Sequence, residues 1–461
     1  MSQTKQPKSI IYFILILFLS IKLFHLLTQK GISWDGSVYL EMGKYIFSAG
    51  KVGLWESSRP LIWPILLGAL WKISLNPIIF GRLLQLIFSI GCICLTYLIA
   101  KNIFDEKTAL ISSFLLAFSP TFLFYSSTLL TGIPSTFFAL VSVHFFIKQD
   151  YLKTGLFIGL SCMTRFLQLF IIIPLLTIIL IKEKKKIKSI KGLAYGILII
   201  TIPYLTLNLI LYKNPLYPFL LQSFMSKYTG WIFNQPLNFY FLSLFKENFI
   251  VLLTLIGIPL IIIKPNKKKI TLLSIFLLFF IFFSSIAHKE TRFMVAFLPY
   301  LYIITAASIF ACIKPLKKKK ILLYSIIFLI TVAWLIREIP QITAPSFKEY
   351  PEFQNYLNNK ETSGNIWISS PIFIANSDKK AEEPIYYPLY NTKKIAQLKT
   401  RINQADHILL NTCDILPCPK TDKECEKETT IWINSIKEEL KTVYSQKEKE
   451  CEYFIFQKAI S

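Results

Sequence analysis

Four short stretches of this chain carry groups able to do chemistry in an apolar setting. The first is WDGSVY, in which Asp35 is the first acid of the sequence. A carboxylate held against apolar groups has a tunable proton affinity and can serve as a general base. The same position suits a helix N-cap, because a helical pattern follows it. The second is WESSRP. Glu56 and Arg59 stand three apart, a spacing that permits an ion pair within a helix. Pro60 disfavours helix at Arg59 and leaves that guanidinium to meet an anion. The third is Arg165 in SCMTRFLQLF, between two apolar runs. An arginine there marks either a functional site or a span end with a snorkelling side chain. The fourth is AHKETRF, where His288, Lys289, Glu290 and Arg292 crowd one turn. Three cationic groups so close together can hold a phosphate. The alternative is a solvated loop in which Glu290 neutralises a neighbour. Tyr39, Glu56 and Glu290 are the candidates for further substrate contacts.

The elements that must position these groups are membrane helices. The chain has 461 residues, 15% aromatic and 17% charged, with mean hydropathy +0.50. Soluble domains carry about 25% charged residues. The net charge of +24 does not indicate nucleic acid, because the lysines sit at the ends of apolar runs. They are read as anchors facing an anionic leaflet. Three clusters, Lys182–Lys191, Lys264–Lys269 and Lys314–Lys320, belong in cytoplasmic loops. A helical span needs about 20 mainly apolar residues. Candidate spans are 9–27, 79–100, 108–124, 132–148, 154–164, 166–182, 192–212, 247–263, 270–287, 293–313 and 321–336. The first, which could be taken for a signal peptide, is read as uncleaved because no small-residue cleavage site follows it. With the N-terminus cytoplasmic, all the basic loops fall inside and the four reactive stretches fall outside.

Two outer loops are long. In 28–78 the segment after Asp35 reads as a helix lying at the interface, with Glu41, Lys44 and Ser48 on one face. Arg59–Ile73 reads as a second interfacial or re-entrant helix packed against protein. Residues 213–246 form an aromatic-rich loop in which Tyr217, Tyr228 and Trp231 belong to an aromatic belt or stack on a ligand. Residues 1–336 thus form a transmembrane domain, and 337–461 an extracytoplasmic α/β domain. Its expected strands are Asn365–Ser370, Ala405–Thr412 and Cys451–Gln457, and its helices Lys393–Arg401 and Lys427–Lys441. Cys413, Cys418, Cys425 and Cys451 read as disulfides in an oxidising compartment. The preferred pairing is Cys413 with Cys418 and Cys425 with Cys451, with a zinc site as the rival.

Taken together, WDGSVY, SSRPLIWPILLGAL, YSSTLLTGIPSTFFAL, GLSCMTRF and HKETRFMVAFLP resemble motifs of the GT-C superfamily of polytopic glycosyltransferases. These include the protein O-mannosyltransferases and the aminoarabinose transferases of lipid A. The match spans about residues 9–336. It implies a GT-C fold of about 11 transmembrane helices plus the small C-terminal domain. It further implies transfer of a mannose-like hexose from a polyprenyl-phosphate donor to an extracytoplasmic glycan, lipid or protein acceptor, with inversion. Asp35 would be the base, and Arg59, Arg165, His288, Lys289 and Arg292 would hold the leaving phosphate. One departure stands out: where the family often has Asp in L-T-D-x-P, this chain has Gly132. No cofactor is fixed by the sequence, and a divalent metal stays open. The competing class is a lipid or glycan transporter, which would place polar groups near mid-bilayer. Here they collect at one face.

Overall fold

The computed structural model describes residues 7–229, 232–313, 347–359, 364–386, 392–415 and 423–458, with isolated positions between 325 and 337. A helical body is built from α1 (Pro7–Thr28), α2 (Trp34–Phe47), α3 (Ile62–Lys72), α4 (Pro77–Ile103), α5 (Glu106–Ala117), α6 (Pro120–Tyr125), α7 (Gly132–Ile147) and α8 (Tyr151–Thr164). It continues with α9 (Ile172–Lys182), α10 (Lys186–Tyr212), α11 (Tyr217–Thr229), α12 (Phe239–Glu247), α13 (Thr254–Ile263), α14 (Lys267–Ser285) and α15 (Leu298–Ile313). Among the described residues, four helices are long and apolar enough to cross a membrane alone, or up to five if the bent pair 239–247 and 249–263 is one span. The expected eleven uninterrupted spans are therefore not what the described helices show. Several of those segments are shorter apolar helices, and the last, 321–336, lies largely outside the described residues.

The interruptions have local causes. The expected span 108–124 breaks where Ser119 caps a new helix by accepting from the Phe122 N–H, with Pro120 in its first turn. Arg165 adopts an extended backbone (φ −155°), which ends α8 and starts the 3-10 turn Phe166–Ile171 leading into α9. Asn248 (φ −165°) separates α12 from the next helix, and the axes there differ by 119°.

The basic loops meet at one end of the body. Lys267, at the start of α14, donates to the Glu183 carboxylate and to the Tyr151 hydroxyl, and Lys268 donates to Asn102. The 19 residues of α14 then cover about 28 Å at ~1.5 Å per residue, close to a hydrocarbon core of about 30 Å. At its far end stands the AHKETRF turn.

In the segment 28–78 α3 packs against protein as expected, burying Trp63, Pro64, Leu67 and Gly68, but α2 does not lie at an interface. Residues Gly36–Lys44 of α2 are buried throughout, because α2 is clamped between α3 and the C-terminal domain. A Cβ on Gly43 would lie 2.6 Å from the Gly68 N, so the two glycines let the helices cross backbone to backbone. On the other side, Lys44 donates to the carbonyls of Ala375 (3.1 Å) and Ser377 (2.8 Å) and pairs with Glu41 at 3.0 Å. The polar face expected to meet water is thus consumed by docking the C-terminal domain.

That domain is a five-stranded mixed sheet of β1 (Ile366–Ile368), β2 (Ala381–Pro384), β3 (His407–Asn411), β4 (Lys441–Glu448) and β5 (Cys451–Gln457) in the order β2-β1-β3-β5-β4. β1 is parallel to β2 and β3, while β5 is antiparallel to β3 and β4. The three expected strands are its centre. The two edges were not expected: β2 reads AEEP and β4 is almost fully exposed, so neither shows apolar alternation. The helix expected over Lys427–Lys441 runs Lys423–Glu439, and Lys441 begins β4.

The disulfide is Cys413–Cys451, which corrects the preferred pairing of Cys413 with Cys418 and Cys425 with Cys451. Strand register decides it. Asn411 faces Tyr453 in the β3–β5 ladder, so the residues two beyond each lie side by side, with Cα atoms 5.4 Å apart. Cys418 lies outside the described residues, as does the side chain of Cys425. Peptide mapping without reduction should recover a Cys413–Cys451 crosslink; a Cys413–Cys418 peptide in its place would contradict this register.

Candidate active site

Asp35 enters the site from the first turn of α2. The N-cap is Ser33, whose hydroxyl accepts from the Gly36 N–H at 3.3 Å, so the carboxylate of Asp35 is not consumed as a cap. The approach to α2 is fixed by Arg82 of α4, which donates to the carbonyls of Gln29 (3.1 Å) and Gly31 (2.5 Å). Nothing but an arginine inside an apolar helix marked that role in the sequence.

Both Asp35 oxygens carry a guanidinium. Arg59 Nη2 donates to Oδ1 at 2.8 Å, and Arg292 Nη1 donates to Oδ2. Each arginine has a second acid: Arg59 Nε donates to Glu56 at 3.0 Å, and Arg292 Nη2 to Glu290 at 2.5 Å. Glu290 also meets His288 Nε2 at 2.5 Å. The result is one ladder of alternating sign, Glu56–Arg59–Asp35–Arg292–Glu290–His288, joining residues far apart in sequence. Burial pushes the Asp35 carboxyl up, but Arg59 and Arg292 more than offset this and hold it well below the usual carboxylate range. The folded value lies below the unfolded one. Its contribution to stability is therefore present above the ordinary carboxylate range and is lost as pH falls through the lowered value. Burial likewise raises Glu290, and His288 and Arg292 bring it below its ordinary value.

The AHKETRF turn is aimed by its surroundings. Asn234 pairs with His288 in an isolated antiparallel bridge, and the Lys289 N–H donates to Phe233 O at 3.0 Å. The extended backbone alternates its side chains. His288 and Glu290 therefore face the cavity, while Lys289 turns away and donates to the Gln235 carbonyl at 2.8 Å. Lys289 is the one candidate cation that does not line the cavity. The Tyr240 hydroxyl donates to the Glu290 carbonyl (3.1 Å) and accepts from its N–H (3.2 Å).

Arg165 stands apart from the ladder. Its guanidinium lies 4.9 Å from the centre of the Phe293 ring, which Arg292 also approaches at 5.8 Å. No carboxylate among the described residues pairs with it. Gly132 adjoins it: a Cβ there would stand 3.5 Å from Arg165 Nη1.

These groups share a cavity of about 1340 Å³. Asp35, Tyr39, Arg59, Arg165, His288, Glu290 and Arg292 all line it. Tyr39 lies under Arg59, 5.6 Å from guanidinium to ring centre. Glu56 stays behind Arg59 and does not line the cavity. Sequence reasoning missed Ser58, Lys227, Tyr386 and Asp414, which also line it. The apolar wall, including Phe170, Ile173, Phe282 and Ile286, belongs to the seam between α9 and α14. A second groove of about 430 Å³ begins at the same Ile173 and follows that seam to Lys182 and Lys267 at the basic end. Among the described residues no group of three or more His, Cys, Asp or Glu is arranged to hold a metal ion.

A family model described as dolichyl-phosphate-mannose-protein mannosyltransferase matches residues 58–207, a segment that holds Arg59, Gly132 and Arg165. Among solved structures, the chain is similar to the Archaeoglobus fulgidus oligosaccharyltransferase tethered with an acceptor peptide (TM-score 0.67, 10% identity, 99% of this chain and 74% of that one). It is similar to ArnT from Cupriavidus metallidurans bound to undecaprenyl phosphate (TM-score 0.64, 9% identity, 96% and 97%). It is also similar to the oligosaccharyltransferase AglB from Archaeoglobus fulgidus in complex with an inhibitory peptide and a dolichol-phosphate (TM-score 0.61, 11% identity, 96% and 74%). No curated protein matches the sequence. The chain therefore has the fold of the GT-C glycosyltransferases, as its motifs imply.

The ladder makes a quantitative prediction. In a double-mutant cycle, Asp35→Asn and Arg292→Gln should couple by about 1–3 kcal/mol in thermal or denaturant unfolding of the detergent-solubilised protein. Additive effects would show that the two residues do not meet.

Proposed function

We propose that the chain moves a hexose, mannose-like, from a polyprenyl-phosphate donor to a hydroxyl-bearing acceptor at the face opposite the lysine clusters, with inversion at the sugar C1. The observation that carries this reading is the junction of two surfaces. An arginine-lined polar pocket with the Asp35 carboxylate between two guanidiniums opens directly onto an apolar seam that runs along α9 and α14 to the basic end. A donor with a phosphate at the headgroup and a long hydrocarbon tail fits both parts at once. The family match and the lipid phosphates bound by the neighbouring structures support the same class of donor. In this reading the lysine-rich end and the N-terminus are cytoplasmic and the C-terminal domain lies outside the cell.

The chemistry follows from the ladder. The acceptor oxygen forms a bond to C1 as the bond from C1 to the phosphate oxygen breaks. The hydroxyl proton passes to Asp35, and the leaving polyprenyl phosphate takes up the negative charge, held by Arg165, Arg59, Arg292 and His288. Asp35 cannot take that proton while both its oxygens are occupied by arginines. An incoming phosphate competes for the same guanidiniums. Donor binding would thus loosen the carboxylate from its partners and raise its proton affinity where an acceptor needs it. Glu56 and Glu290 keep the arginines in place as this exchange occurs. Lys289 has no part in holding the donor, because its ammonium is spent on the Gln235 carbonyl.

Incubating membranes that contain the protein with labelled dolichyl- and undecaprenyl-phosphate hexoses should transfer label to an endogenous acceptor. Asp35→Asn should cut transfer by about 10²–10⁴-fold with membrane insertion intact. Wild-type rates in that variant would remove Asp35 from the mechanism. Gly132→Asp places a carboxylate beside Arg165. It should raise the donor KM about tenfold or more, an effect of roughly 1.4 kcal/mol, while the acceptor KM stays within about twofold. An unchanged donor KM would remove Arg165 from phosphate binding.

A further inference from the structure

The C-terminal domain contributes its own wall to the cavity, through Tyr386, Cys413 and Asp414. It is built by other elements than the apolar seam, which belongs to α9 and α14. Tyr386 meets the Trp34 ring edge to face at 5.1 Å, and Trp34 is next to Asp35. From Asp35 the contacts run through Arg292 and Phe293 toward Arg165, and Phe170 and Phe282 close the seam with centroids 4.3 Å apart. Asp35 is thus linked by contacts both toward the apolar seam and to the wall built by the C-terminal domain.

Displacement with inversion requires the nucleophile to arrive opposite the leaving group. If the phosphate and its tail occupy the seam side, the side of Trp34, Tyr386 and Asp414 is left for the acceptor to approach Asp35. The chemistry of that wall differs from the rest of the cavity. Glu290 and Asp35 are paired directly with cations, whereas Asp414 makes no ion pair within contact distance among the described residues; the Asn411 side chain donates to its carboxyl and the Lys348 charge acts on it from further off. The Asp414 Oδ2 is buried with no hydrogen-bond partner among the described residues. A buried carboxylate oxygen without a donor is costly and is stabilised by any hydroxyl or ammonium that reaches it. Burial also raises the Asp414 carboxyl to about 7. Asp414 is set in place by the adjacent Cys413–Cys451 disulfide. Tyr386 is set by Trp34 and by its hydroxyl, 3.5 Å from Glu56 Oε2.

We infer that Trp34, Tyr386 and Asp414 form the acceptor subsite, which takes an acceptor bearing a hydrogen-bond donor, hydroxyl or ammonium, beside its reacting hydroxyl. Trp34 offers an apolar ring to the body of the acceptor, and Asp414 takes its donor group. This subsite rests on the donor reading above and adds a role for the C-terminal domain that the donor does not require.

The test uses the full-length protein in native membranes, with undecaprenyl- or dolichyl-phosphate-[³H]mannose as probe. Label is separated into acceptor-bound sugar and sugar released to water. In Tyr386→Ala and in Asp414→Asn, the ratio of acceptor-bound to released label should fall about tenfold, with the donor KM within about twofold of wild type. Asp414→Glu should recover part of the ratio. Should Tyr386→Ala fail to fold, as judged by thermal unfolding in detergent, Tyr386→Phe and the Asp414 pair carry the same readout. An unchanged ratio, or a loss of both products together with a raised donor KM, overturns the subsite. Wild-type membranes that consume neither probe would count against the donor reading instead, so the two failures are distinguishable. Analysis of the labelled product separates a glycan from a peptide acceptor, and either is compatible with the subsite.

Discussion

One carboxylate shared by two guanidiniums organises this molecule. Asp35 lies on a short helix near the N-terminus, Arg59 on the loop that follows, and Arg292 at a turn 257 residues after Asp35. Each is partly shielded from water, with side-chain exposures of 16%, 15% and 24%. None of the three would be stable there alone, because burying an unpaired charge costs several kcal/mol. The pairing therefore ties the first outer segment to the last helices of the body. It also leaves a compact set of cations that can be lent to an anion without being created for it. The acids Glu56 and Glu290 behind the arginines make that loan reversible.

The division between lysine and arginine follows the same logic. Six of the 51 basic residues are arginine. Three of those six line the cavity, and a fourth, Arg82, fixes the chain leading into α2. Lysines crowd the opposite end. A compact, strongly hydrated ammonium suits a solvated loop at an anionic leaflet, whereas a planar fork that sheds water more readily suits a half-buried site for carboxylate or phosphate. Lys289 shows the exception: placed in the turn with the site residues, it is directed to a backbone carbonyl instead.

Much of this was legible in the sequence because charge in an apolar chain is expensive and therefore conspicuous. WDGSVY, WESSRP, Arg165 and AHKETRF stood out for that reason, and all four stretches reach the same cavity. What stayed hidden depends on backbone geometry. Lys289 and Arg292 look equivalent on paper; an extended stretch with a period of two sends one away and a following 3-10 turn brings the other in. The Cys413–Cys451 pairing is a consequence of strand register, which cysteine spacing does not encode. The edge strands β2 and β4 bury little and so carry no apolar signature. Tyr386 and Asp414 sit in segments with no motif, and only the docking of the C-terminal domain brings them to the cavity.

That docking also explains why α2 is buried rather than floating at the membrane surface. The helix that presents Asp35 is held at its start by Ser33 and Arg82 and crossed in its middle by α3 at Gly43 and Gly68. At its end Lys44 is anchored to two carbonyls of the C-terminal domain. The segment after α2 adds a strand-like bridge from Gly53 to Lys380. A general base must be positioned to within a fraction of an ångström to be effective, and an amphipathic helix resting on fluid lipid does not provide that. In the proposed mechanism the C-terminal domain is therefore part of the framework around Asp35: the clamp that orients the carboxylate is the same contact that brings the domain's wall over the cavity.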